Sequence, residues 1–178
     1  MENETYEQFV SSRVKWMPTF QADLMHASVG IVGELIELAA APHRANILEE
    51  LADVEFYLTH MVLAFEKAGI SFLHFSDGPR ERMDDDLISN IANALFFSGN
   101  LLDYAKKMWV YNKPPMELLS SIAFDFQALL ECLHSIHECL ATSRGVLRAN
   151  NEAKLRTRYP VGYNDAHAQA RLDKPAGQ

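Results

Sequence analysis

The chemistry this sequence can do rests on four carboxylates. Glu34 and Glu37 stand three residues apart, as do Glu50 and Asp53, with Ala41-Pro42-His43 between the pairs. Residues three apart lie about 60° from each other round an α-helix, so each pair sets two carboxylates on one face, one turn apart. If the break at Pro42 folds the two helices antiparallel, all four acids meet. A Glu-x-x-Glu on a helix is ordinarily a solvated face, with Lys or Arg three or four residues away to relieve the repulsion. None of these four acids has a basic residue at those spacings. Two like charges about 5 Å apart repel by roughly 3 kcal/mol at an effective dielectric near 20. Raised carboxylate pKa values relieve that strain, and so does a hard divalent cation, since all-oxygen ligands are what Mg²⁺ or Mn²⁺ prefers. The residues therefore point to a divalent-metal site.

The elements that must position these acids are helices. Residues 4–15 read as a short first helix ended by Pro18, and Thr19 or Asp23 starts a second. Leu24, Ala27, Ile31, Leu35 and Leu38 recur at three and four, which marks a core-facing stripe with Glu34 and Glu37 on its flank. His26, Gly30 and Gly33 share that flank. A glycine inside a helix costs roughly 1 kcal/mol relative to alanine, so both glycines call for either ligand space or the close approach of another helix. The third helix runs from Asn46 as N-cap to Lys67, with Ile47, Leu51, Val54, Leu58, Met61 and Phe65 as its seam. Glu50, Asp53 and Tyr57 form a second line beside the seam, and Glu49 is read as solvated.

Residues 76–86 form a polar connection. A fourth helix, 87–111, stops before Pro114-Pro115, a fifth covers 116–142, and a shorter basic helix covers 146–159. GELIELA at 33–39 lines up with GNLLDYA at 99–105, and ILEELADVEFYL at 47–58 lines up with LLSSIAFDFQAL at 118–129. In the second copy Asn100, Asp103, Ser121 and Phe124 replace Glu34, Glu37, Glu50 and Asp53. The expected fold is all-α: a four-helix-bundle core from two related hairpins, 19–67 carrying the acids and 86–142 degenerate, in one domain over 1–160 with an irregular tail at 161–178.

Composition bounds the function. A chain of 178 residues, 48% hydrophobic, buries a sizeable core, and its formal charge of −8 disfavours a nucleic-acid polymer as partner. No signal peptide and no membrane-length apolar run is visible, so a cytoplasmic protein without a membrane partner is expected. Cys132 and Cys139, seven residues apart on one helix, are separated by roughly 10 Å of rise, too far for a disulfide.

Glu34-x-x-Glu37, a spacer, then Glu50-x-x-Asp53, set in HASVGIVGELIEL and NILEELADVEFYL and followed by AKLRTRYPVGY, resembles the signature of the all-α nucleoside triphosphate pyrophosphohydrolases, most closely the MazG-like branch. The resemblance implies a Mg²⁺-dependent enzyme, with Mn²⁺ as a possible substitute. It would cleave a nucleoside or deoxynucleoside triphosphate, with dUTP, dCTP and dGTP as candidates, to the monophosphate and pyrophosphate. It implies Glu34, Glu37, Glu50 and Asp53 as metal ligands and catalytic residues, and a homo-oligomer, dimer or tetramer. Many members carry another Glu directly before the first pair, where this chain has Gly33, which leaves open the number of ions and the identity of the general base.

The basic counterpart is local. Arg144, Arg148, Lys154, Arg156 and Arg158 concentrate positive charge in an acidic chain, and Lys154 and Arg158 share a helix face. By resemblance Lys154, Arg158 and Tyr159 reach the triphosphate, from this subunit or a neighbouring one. His26, two turns before Glu34, is the remaining candidate substrate contact. The rival function is a catalytically silent helical protein that binds a nucleotide or a partner.

Overall fold

The computed structural model describes residues 4–70 and 86–170. The predicted connection therefore lies outside the described residues except for Asp86, and so does the end of the chain from 171. The fold is all-α. Among the described residues seven helices follow in order: α1 (Tyr6–Arg13), α2 (Phe20–Ala40), α3 (Arg44–Lys67), α4 (Leu87–Val110), α5 (Leu119–Cys139), α6 (Arg144–Arg158) and α7 (Asp165–Ala170), with a 3₁₀ turn at Pro115–Glu117.

Helices α2 and α3 pack as one hairpin, α4 and α5 as a second, and α2 lies against α4 to join them. One core runs through all four: Leu24, Ile31 and Leu35 from α2, Leu51, Leu58 and Phe65 from α3, Leu101 and Met108 from α4, and Ile122, Phe126 and Leu129 from α5. Each such side chain contributes about 1.5–3 kcal/mol by leaving water. The stripes read from the sequence are buried throughout, apart from Ile47, which is only partly so. A smaller second core fixes what the site needs. Tyr6, Phe9, Val10 and Val14 of α1 and its C-terminal cap meet Phe56 of α3 and Leu155 and Tyr159 of α6 and its cap, so α1 and α6 cover the outer face of α3.

Boundaries follow local chemistry. Thr19, and not Asp23, caps α2 by accepting from the Ala22 amide at 3.2 Å. Asp23 instead is buried and accepts the Met17 amide at 2.7 Å, closing the turn between α1 and α2. Ala41, preceding Pro42, is held extended and ends α2. The chain re-enters the helix at once, so α3 begins at Arg44 with His43 at the cap position, three residues earlier than an Asn46 cap would give. Arg44 reaches the Leu140 carbonyl at the end of α5, a tertiary bond that ties the start of α3, which has no side-chain cap, to α5. Pro114 and Pro115 delay α5 to Leu119, and a left-handed Ala141 (φ 46°) ends it at Cys139 by turning the Ala141 and Thr142 amides back to the Glu138 and His137 carbonyls.

The chain after Pro160 is not irregular throughout. Asn164 caps α7 through the Ala166 and His167 amides, Lys15 pairs with Asp165 at 2.6 Å, and the Tyr163 amide bonds the Ser12 carbonyl. These contacts dock the segment on α1. Gly162 permits the approach, with φ of 153° and space for a Cβ only 3.0 Å from that same carbonyl.

Candidate functional site

The α2–α3 hairpin is antiparallel, and its crossing brings acids from both helices together. Glu34, Glu50 and Asp53 each place a carboxylate oxygen within 4.8 Å of the others. Glu37 is not part of this group: it is exposed, one turn further along α2, and acts on the cluster through its charge. Burial, reinforced by the negative charge of Asp53, Glu37 and Glu50, pushes Glu34 up to about 8, so it holds a proton and shares a hydrogen bond with Glu50. Burial and the neighbouring acids also raise Glu50, and burial raises Asp53 against the opposing pull of Lys154. An all-oxygen donor set crowded enough to retain a proton at neutral pH fits a hard divalent cation, which would replace that proton.

The basic helix comes from the same chain. Its packing on α3 puts Lys154 in an ion pair with Asp53 and 3.5 Å from Glu49, so Glu49 is engaged and not merely solvated. Asn151, 1% exposed, donates to the other Asp53 oxygen at 2.7 Å and accepts from the Tyr6 hydroxyl at 3.1 Å. Asp53 is thus aimed by α6, and Asn151 by α1. Asn151 escaped the sequence reading although a signal exists: it interrupts the stripe Leu147, Asn151, Leu155, the three buried positions of α6, and a buried amide must find partners.

The other cations of the basic segment find partners elsewhere. Arg144 and Arg148 do not face the acid cluster. Both close on Glu55, which is fully buried, at 2.9 and 3.4 Å, and Arg148 also reaches Glu7. Arg156 is an outer pair with Glu4 and Glu152. Glu55 was invisible in the sequence because its partners lie about ninety residues away.

Next to the acids lies a cavity of about 240 Å³ lined by Glu34 and Asp53, by Arg158 and Tyr159 of the basic segment, and by His26 and Tyr57. Five of the eight predicted site residues therefore share one concavity, and Glu50 and Lys154 border it through Glu34 and Asp53. Tyr163 and Ala168 of the docked C-terminal segment complete its wall, with Tyr159 and Tyr163 ring centres 5.5 Å apart. His26 sits edge-on to Tyr57 and to buried His60, and burial lowers its pKa, so it enters the cavity as a neutral ring. Burial and His26 likewise hold His60 below the usual histidine range.

The two glycines have different reasons. A Cβ at Gly30 would lie 2.3–2.5 Å from the Tyr57 ring, so this glycine lets α3 approach and seats the tyrosine in the cavity wall. A Cβ at Gly33 meets nothing within 4 Å, which leaves open space beside Glu34.

Comparison with protein-family models, with curated proteins and with solved structures gave no match. Among the described residues, no helix is long and apolar enough to cross a membrane.

Proposed function

We propose that this chain is a Mg²⁺-dependent pyrophosphohydrolase of nucleoside or deoxynucleoside triphosphates, of the MazG-like kind. The observation that carries the reading is the meeting of Glu34, Glu50 and Asp53 beside a cavity that also contains Arg158. Mg²⁺ held by these three carboxylates would be supplied with further negative charge by Glu37 one turn away, and would provide charge screening for the phosphates and a bound water of lowered pKa. Mn²⁺ has the same preference for oxygen donors.

The reaction joins a water oxygen to the α-phosphorus and breaks its bond to the oxygen bridging to the β-phosphate. The monophosphate and pyrophosphate leave, and the water's proton passes to a carboxylate or to solvent. Asn151 and Lys154 fix the orientation of Asp53, and Lys154 and Arg158 offer the positive charge that a triphosphate displaces from the acids. Tyr57, Tyr159 and His26 present ring edges and faces to a base or sugar. The cavity is smaller than the roughly 300 Å³ at which drug-sized sites begin, so it takes one moiety of the nucleotide while the phosphates lie over the acids. Dimer or tetramer formation in the cytoplasm belongs to the same proposal.

The decisive experiment incubates the protein with a panel of ribo- and deoxyribonucleoside triphosphates and Mg²⁺ and resolves the products by chromatography. Monophosphate and pyrophosphate in equal amounts are expected for at least one substrate, dUTP, dCTP and dGTP first among them. No turnover of any nucleotide would sink the enzyme reading.

A second reading, a silent nucleotide-binding protein, is favoured by one observation: Lys154 already neutralises part of the acid cluster from within the chain. It predicts nucleotide binding without Mg²⁺ and without product.

A further inference from the structure

The second hairpin contains a concavity that the hydrolase reading does not use. It measures about 420 Å³ and lies between α4 and α5. Four of its lining residues are aromatic: Phe96, Phe97, Tyr104 and Phe124. Phe96 and Phe124 are 63% and 69% exposed, unusual for rings that a bundle could have turned inward. At its base is Asp125, only 4% exposed, which accepts from the Tyr104 hydroxyl at 2.7 Å and from the Asn100 amide at 3.3 Å. Both partners are neutral, and among the described residues no Lys or Arg lines the concavity. The nearby Lys106 and Lys107 are tied to Asp103 instead.

We propose that this concavity is a binding site for an organic cation, an alkylammonium or guanidinium group, seated on Asp125 between the faces of Phe96 and Phe124. The chemistry is selective. A cation is attracted both by the negative faces of aromatic rings and by a buried carboxylate whose charge its own neighbours do not cancel. A phosphate or carboxylate ligand is repelled by the same group. A metal ion is disfavoured because Asp125 is the only carboxylate that the described residues give the lining. The fold supplies a local precedent, since Lys107 Nζ lies 5.5 Å from the centre of the Tyr104 ring.

The position sharpens the inference. Asn100, Ser121 and Phe124 stand where Glu34, Glu50 and Asp53 stand in the first hairpin, so the concavity occupies the place of the acid site with one carboxylate and added rings. An acid cluster that attracts a small hard cation has as its counterpart a surface suited to a large soft one. This site is independent of the hydrolase reading.

The test titrates the full chain with tetramethylammonium chloride against a sodium chloride control, followed by calorimetry or by NMR shifts. Saturable binding is expected with a dissociation constant on the order of millimolar. Uncharged tert-butanol, of similar shape, is expected not to saturate. Phe96→Ala and Phe124→Ala, both at exposed positions, should each weaken binding about threefold or more, and Asp125→Asn more strongly. If the Asp125 variant fails to fold, the two phenylalanine variants carry the test. The proposal is overturned by absence of saturable tetramethylammonium binding or by equal affinity for tert-butanol. It is also overturned if guanosine saturates the site and tetramethylammonium does not, or if Phe124→Ala converts an oligomer to a monomer in sedimentation, which would make the concavity a self-interface.

Discussion

The two hairpins have the same frame and opposite chemistry. At the crossing of α2 and α3, three carboxylates converge, and burial and their mutual repulsion hold a proton on Glu34. At the crossing of α4 and α5, a single carboxylate, Asp125, is satisfied by Tyr104 and Asn100, and rings stand exposed around it. Both crossings sit on the same continuous apolar core. What separates them is the covering: the first hairpin has α6 across it, aiming Lys154 and Asn151 at Asp53, whereas α6 makes its main packing with α3 and not with the second hairpin. An acid cluster becomes a site when another element constrains its members.

The comparison can be broken most directly at its acids. Under the proposed function, Asp53→Asn should fold and lose at least about a hundredfold of Mg²⁺-dependent turnover, as expected when a proposed metal ligand is removed, while Asp125→Asn leaves the rate within about twofold. Parallel turnover assays with circular dichroism as the folding control decide this, and equal losses in the two variants would dissolve the distinction between the hairpins.

A second prediction concerns the covering helix. Glu55 is fully buried between Arg144 and Arg148, so Glu55→Ala strands two guanidinium groups and should cost about 3 kcal/mol, read as a fall in the denaturation midpoint. Because that pair fastens α6 to α3, turnover should fall before the bundle itself unfolds.

The third is a matter of pH. His137 on α5 is buried close to Glu55 and Arg144, and burial lowers its pKa to about 4. The unfolded chain takes up this proton below about 6.5 whereas the fold refuses it, so the contribution is complete above that value and is lost as pH falls toward 4. The acid limb of the melting temperature should flatten in His137→Gln, by about 2–4 °C per kcal/mol removed. An unchanged acid limb would show that the histidine is charged in the fold.

The smallest effects come from the glycines. Gly30→Ala forces the Tyr57 ring from the cavity wall and should raise KM and lower the melting temperature. Gly33→Ala, with open space around its Cβ, should stabilise α2 slightly, by up to about 1 kcal/mol. Similar melting shifts of opposite sign separate the two roles.

Much of this was legible in the sequence because it depends on local spacing. The stripes of α2 and α3 and the placing of Glu34 with Glu37, and of Glu50 with Asp53, on single faces follow from helical periodicity, which is fixed by the backbone, and the break follows from Pro42, whereas Lys154 and Arg158 were chosen by resemblance. Contacts between distant segments were not. Arg144 and Arg148 looked equivalent to Lys154 by charge, yet Glu55 takes both. Asn151 carried no charge to attract notice, and Asn46 looked like a cap until tertiary contact let α3 begin at Arg44. Asp125 hid one position beyond Phe124, where a comparison limited to the acid positions passes over it.

By itself, then, the sequence determined that this chain is all-α, that two hairpins form its core, and that four acids lie along neighbouring faces of the first. Tertiary structure decided which three of those acids meet, which cations reach them, and that the segment after Pro160 docks on α1 to close the cavity. The reason is physical: periodicity fixes the direction of a side chain relative to its own helix, but the charge it meets depends on how helices cross and on which distant group fills the space between them.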